Sequence, residues 1–321
     1  MLKTLQKLIA LCLLLFFTAV SIPSLKAQQD PQFTNYMFNR LLFNPAFAGT
    51  NEKRICVSAI HHNQWSQFEG PKQEGSPTTT GFSVHAPMQK YISGVGLTLI
   101  NDEQGFENTF SMNLSVSYSF DLDIGRLFGG IGIGFIQKGY DGDWEYPENP
   151  NDPVISDEPI QDIIPDFSFG AYLVHDDYYA GLSMTHLFNS QFEWENEGSY
   201  AKHRNLYFTA GYNIPLPNNP EIVFVPSTLI KSDFASTQFD INVNAWYQEF
   251  LYAGLSYRQT DAVALLVGGR FADFHLGYSY DIITSDISGF SRGTHEFVLG
   301  YCFRFDPKVR PQNIFYTPRY L

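Results

Sequence analysis

Apolar and small polar residues alternate without a break from Phe110 to Phe120, through Met112, Leu114, Val116 and Tyr118 on one face and Ser111, Asn113, Ser115, Ser117 and Ser119 on the other. A strand sends successive side chains to opposite faces, so this stretch predicts a strand with one greasy and one wet side. It is longer than the usual strand of a soluble protein and matches the nine to eleven residues or so that a tilted strand needs to cross a bilayer. The same pattern recurs. Phe239, Ile241, Val243, Ala245 and Tyr247 alternate with Asp240, Asn242, Asn244 and Trp246, and Phe297, Leu299, Tyr301, Phe303 and Phe305 with Glu296, Val298, Gly300, Cys302 and Arg304. Fourteen strands are expected, at 54–62, 78–87, 91–101, 108–120, 126–138, 165–175, 177–187, 204–213, 221–231, 236–247, 249–259, 262–271, 273–282 and 293–305.

The connections sort into two classes. Every second one is mostly short (Pro87–Lys90, Asp121–Gly125, Asp176, Gln248, Ala272), and the intervening set holds the long ones (Asn63–Pro77, Gly139–Ile164, Phe188–His203, Ile283–Arg292). Short periplasmic turns alternating with longer outer loops are the habit of an outer-membrane barrel. A soluble β-sandwich also alternates, but strand length and loop asymmetry favour the barrel. The expected fold is therefore an all-β transmembrane barrel of about 14 antiparallel strands at 54–305, with both barrel ends on the periplasmic side.

The flanks add to this. Lys3 and Lys7, the apolar run 8–22, Pro23 and Leu25-Lys26-Ala27 read as a cleaved signal peptide over 1–27. The run is short for a membrane helix, and Cys12 follows a Leu rather than the small residues of a lipid-modified cysteine. Residues 28–53 carry Asp30-Pro31 and Asn44-Pro45 around Phe33, Tyr36, Met37, Phe38, Leu41, Leu42 and Phe43, with some helical spacing. This predicts a segment packed in or under the barrel. Twenty-nine Phe and nineteen Tyr suit the aromatic girdles at the two membrane interfaces. The formal net charge of −13 grows more negative once Lys3, Lys7 and Lys26 leave, which argues against nucleic acid as a partner.

Three stretches resemble the PorP/SprF membrane proteins of the type IX secretion system. These are Gln29-Asp30-Pro31-Gln32-Phe33-Thr34-Asn35-Tyr36-Met37-Phe38-Asn39 with Asn44-Pro45-Ala46-Phe47-Ala48-Gly49, then Gly293-Thr294-His295-Glu296-Phe297-Val298-Leu299-Gly300-Tyr301, and the ending Thr317-Pro318-Arg319-Tyr320-Leu321. Arg40 departs from the pattern, where members often carry Pro. The resemblance covers essentially the whole chain after the leader. It implies a Bacteroidetes outer-membrane barrel that works with other type IX components, and in some members with a large surface adhesin through its C-terminal sorting domain, including in gliding motility. It implies no enzymatic activity and no cofactor. Surface attachment or secretion of a partner by protein–protein docking is the expected function, and a diffusion porin for small solutes is the alternative.

Candidate chemistry is sparse. The run Gly129-Gly130-Ile131-Gly132-Ile133-Gly134 lacks the following helix that would supply amides to a phosphate, which favours a crowded or curved strand. His61 and His62 point to opposite faces of one strand and cannot chelate together. The lumen serines suit a watery lining as well as a Ser-His hydrolase. The stretch from Asp141 to Asp166 is rich in Asp and Glu, without Lys or Arg, and reads as a solvated loop or a divalent-cation or partner contact. Cys56 and Cys302 become neighbours if the first and last strands meet, giving either a disulfide across the seam or two free thiols. The tail 306–321 carries Lys308, Arg310 and Arg319 beside Tyr320 and Leu321 on an otherwise acidic chain, and is expected on the periplasmic side, where it docks a partner, plugs the pore from below or simply packs under the barrel.

Overall fold

A computed structural model describes residues 30–51, 53–66, 76–88, 92–140, 160–194, 198–289 and 291–304. These hold seventeen strands: β1 (Arg54–Asn63), β2 (Thr78–Pro87), β3 (Gly94–Gln104), β4 (Glu107–Leu122), β5 (Gly125–Tyr140), β6 (Ile160–Val174), β7 (Tyr178–Thr185), β8 (Gln191–Trp194), β9 (Gly198–Ala201), β10 (Asn205–Tyr212), β11 (Ile214–Leu216), β12 (Asn219–Ser232), β13 (Thr237–Tyr247), β14 (Leu251–Arg258), β15 (Ala262–Phe271), β16 (Phe274–Ile283) and β17 (Thr294–Arg304). Each of the fourteen expected strands is present. They pair in antiparallel sequence, and β17 returns to β1 while β10 pairs with both β7 and β12, so the sheet closes. Closure leaves no unpaired edge facing lipid. The strands missing from the sequence reading are the small β8–β9 hairpin in a long loop and the short β11.

The wall is inside-out relative to a soluble protein. On β4, Ser115 and Ser117 are buried toward the lumen while Leu114, Val116, Tyr118 and Phe120 lie exposed on the outer surface. Asp240, Asn242, Asn244 and Trp246 of β13 face inward and Ile241, Val243 and Tyr247 outward, as the alternation requires. Near the ends carrying the short turns, Tyr118, Phe120, Tyr212, Tyr247, Phe271 and Phe274 form an exposed aromatic belt.

One boundary needs correction. Strand β6 begins at Ile160, so Asp162 and Asp166 are strand residues and not part of a solvated loop. Pro165 is tolerated there because its missing N–H faces the side where β7 has already ended, its pairing to that strand starting only at Phe169. Residues 141–159 of the acidic stretch, the expected leader 1–27 and the tail 306–321 lie outside the described residues.

Cys56 stands directly opposite Cys302 in the β1–β17 register, and the two form a disulfide with Cα atoms 4.1 Å apart. Of the two outcomes left open by the sequence, the bonded one is found, at the end of the seam where the chain enters and leaves the barrel.

Candidate functional site: a strap threaded through the lumen

Residues 30–50 run inside the barrel as a strap from one rim to the other. It starts at the rim bearing the long loops, where Asp30 meets His186, Asn205 and Tyr207. It ends at the rim of short turns, where Gly49 packs on Gly94. Three single-turn 3-10 helices, Tyr36–Phe38, Arg40–Leu42 and Pro45–Phe47, are its only regular structure. Irregular backbone at membrane depth must find its hydrogen bonds within the protein. The wall supplies them.

At the loop rim the contacts are charged. Asp30 pairs with Lys202 at 2.7 Å and with His186 at 2.9 Å, and the other His186 ring nitrogen reaches Asp166 at 2.8 Å. A doubly protonated imidazole satisfies both carboxylates. His186 directly follows the end of β7 and Lys202 the end of β9, while Asp166 lies within β6. Burial alone would raise the Asp30 carboxyl, yet His186 and Lys202 hold it well below the usual carboxylate range. Burial alone would lower His186, yet Asp30 and Asp166 raise it.

One layer deeper, fully buried Glu296 accepts from the Thr34 and Asn35 backbone amides at 2.9 and 2.6 Å, from Asn35 Nδ2 at 2.8 Å, and bonds His62 at 2.7 Å. Beside it Arg258 donates to Asp240, Asp281 and the Thr34 hydroxyl, while Thr34 donates to Asp281 at 2.6 Å. His62 thus faces inward and His61 outward to Thr80, on opposite faces as the strand alternation demands. Tyr36 then bonds Ser227 at 3.0 Å, among Trp246, Tyr252 and Leu229.

The lower half is held by shape and by hydroxyls capping carbonyls. Ser183 donates to the Phe43 carbonyl at 2.7 Å and Ser117 to the Ala48 carbonyl at 2.6 Å. Asn44 caps the Pro45–Phe47 turn through the Ala46 amide and donates to the Ala171 carbonyl. Arg40 bonds the Tyr172 hydroxyl at 2.7 Å and lies 3.7 Å over the Tyr179 ring. The residue that departs from the family pattern therefore anchors the strap. Crowding explains Gly130, Gly132 and Gly134 of the glycine run on β5, though not Gly129: a Cβ on Gly130 would sit 2.4 Å from the Ala46 amide nitrogen.

Sequence reasoning placed the segment in or under the barrel, of which the structure shows the first, but missed Glu296, Arg258 and His186 as its anchors. Their one available signal was a charged residue at a lumen position of an alternating strand. The tail residues Lys308, Arg310, Arg319, Tyr320 and Leu321 lie outside the described residues.

A closed antiparallel wall with lipid-facing aliphatics, an aromatic belt and a polar interior defines an outer-membrane β-barrel protein. The model of the type IX secretion system membrane protein PorP/SprF family matches residues 25–301, and the chain belongs to that family. Among solved structures it is similar to the CymD monoaromatic hydrocarbon channel, at 9% identity and a TM-score of 0.52 over 88% of this chain and 95% of that one. A Pseudomonas aeruginosa FadL homologue gives 13% identity and a TM-score of 0.48 over 86% and 95%. At such identity the CymD likeness is one of fold alone. No curated protein matches the sequence.

Proposed function

We propose that this type IX secretion membrane protein acts as a docking platform that supports the secretion or surface attachment of an adhesin-type partner, recognising the partner's C-terminal sorting domain. The observation that carries this reading is the filled lumen: the strap from Asp30 to Gly49 occupies the space that a diffusion porin needs open. A barrel closed in this way offers its rims to other proteins, with the long loops and the β8–β9 hairpin at one end. The basic tail, with Lys308, Arg310, Arg319, Tyr320 and Leu321, is the docking element assigned to the other end, and exchange of charge with acidic partner surfaces is its mode of recognition.

Deletion of Pro307–Leu321 in the native host tests the assignment. Partner secretion or surface display is expected to fall while the barrel still reaches the membrane. Normal display with a normally inserted barrel overturns the tail's role. Planar-bilayer recording separates the platform from the porin: a stable large conductance from the unmodified protein overturns the platform.

A further inference from the structure

Beside the strap, toward the loop rim, the wall strands β3 to β6 enclose a cavity of about 200 Å³. This is below the roughly 300–1,000 Å³ of sites for drug-sized ligands, so a single small unit is the fitting occupant. Its floor is set by the pairing register. Asn113 of β4 stands opposite Thr98 of β3, and Gly132 of β5 lies between Ser115 and Ser168. Because Gly132 has no side chain, Ser168 and Asn113 lean over it: a Cβ there would lie 2.3 Å from Ser168 Oγ and 2.4 Å from Asn113 Oδ1. The hairpin β8–β9 closes the top, with Phe192 buried against Ile136 and Ile164 and stacked on Tyr200.

Two features specify the ligand chemistry. First, the charged groups around the cavity are already satisfied by one another. Lys138 pairs with Glu107, Lys202 with Asp30, and His186 with Asp30 and Asp166, while Asp102 accepts from Thr79 and Gln104. Second, the hydroxyls of Thr98, Thr109, Ser111 and Ser168 line the cavity with no hydrogen-bond partner among the described residues. Ile100, Ile136 and Phe192 give the same cavity an apolar wall. Unused neutral donor-acceptors across from an apolar surface match a ring that carries hydroxyls at its edge and C–H groups on its face.

We infer that this cavity is a binding site for one neutral sugar unit, taken either as a free monosaccharide or as the terminal residue of a glycan. The inference is independent of the docking reading, since a sugar site is compatible with a platform or with a porin.

Saturation-transfer NMR on the detergent-solubilised full chain, with methyl glycosides of glucose, galactose, mannose and N-acetylglucosamine, tests it. Saturable binding of at least one is expected. Ser168→Val is expected to weaken it about tenfold, the worth of one good hydrogen bond, and Gly132→Val to abolish it by filling the floor. Thr98→Ser, which keeps the hydroxyl, is expected to bind as the parent does. Heat-modified electrophoretic mobility shows whether each variant remains a barrel. Repeating the measurement with a tetrasaccharide ending in the bound sugar separates the sources: tighter binding of the tetrasaccharide points to a glycan terminus, and binding of the monosaccharide alone points to a free sugar. The inference is overturned if no glycoside binds the folded protein, if glucuronate or glucosamine binds better than the neutral sugars, or if folded Ser168→Val and Gly132→Val bind undiminished.

Discussion

From Asp30 to Tyr36 the strap meets the wall through carboxylates, an imidazole, an ammonium and a guanidinium, whereas from Arg40 to Gly49 it meets hydroxyls, aromatic faces, bare backbone and the neutral acceptor nitrogen of His85. The first kind of contact is strong in a low-dielectric lumen but depends on each partner keeping its charge. The second depends on volume, since close-packed surfaces tolerate neither a missing group nor an added one. The upper half is thus the half that a change of charge loosens most. The lower half, whose one strap charge is Arg40 on aromatic partners, responds mainly to lost or added volume and to lost neutral hydrogen bonds.

The difference can be broken in several ways, the largest first. Glu296→Ala removes the acceptor of two backbone amides, the Asn35 side chain and His62 at once. A loss of about 3–5 kcal/mol is expected, the scale of a broken buried charge network, read as a lower temperature of heat-modified mobility together with new single-channel openings. Cys302→Ser cuts the seam without touching either half of the strap. It is expected to cost about 2–5 kcal/mol in the same mobility assay while leaving the lumen closed to ions, and openings here would show that the wall, not the strap, controls closure.

Gly130→Val drives a side chain into the Ala46 backbone, for an expected cost of about 1–3 kcal/mol. Protease sensitivity should appear near residues 44–48 while Asp30 stays protected. If both ends loosen together, the two halves are one unit. Asn44→Ala loses the cap of the Pro45–Phe47 turn, worth about 1 kcal/mol.

The smallest effect is that of pH on the rim. His186 is raised above its usual 6.5, so its contribution is complete below that value and is lost as pH rises through the raised one. Asp30 is depressed below its usual 3.8, so its contribution is complete above that value and is lost as pH falls through the depressed one. The clamp is therefore expected to hold between these limits and to weaken in alkali. Proteolysis at the rim across pH checks this, and His186→Gln should flatten the alkaline limb.

Much of this was legible beforehand. The alternation around Ser115 and Asn242 separates the two faces of each strand, and strand length together with loop asymmetry turns the polar face inward, because all of these are local properties. The seam pair was legible as a possibility, since Cys56 and Cys302 sit at matching depths of the first and last strands. The strap's route was not. Thr34 and Glu296 both fall in stretches quoted for the family resemblance, but they meet across 262 residues, and no local pattern says which inward acid receives which amide. The hairpin was missed for a different reason: Phe192 and Trp194 alternate with Gln191 and Glu193 over only four residues, too few for a period to declare itself.

The disulfide at the seam has a topological consequence. Together with the chain between its ends, it makes a covalent circle running from Cys56 to Cys302. Residues 30–51 lie outside that circle in sequence yet pass through it in space, which makes the molecule a lasso. Either the strap is laid down before the last strand zips against the first, or it is fed through an already closed hoop. The order of these two events is a property of how the barrel is assembled.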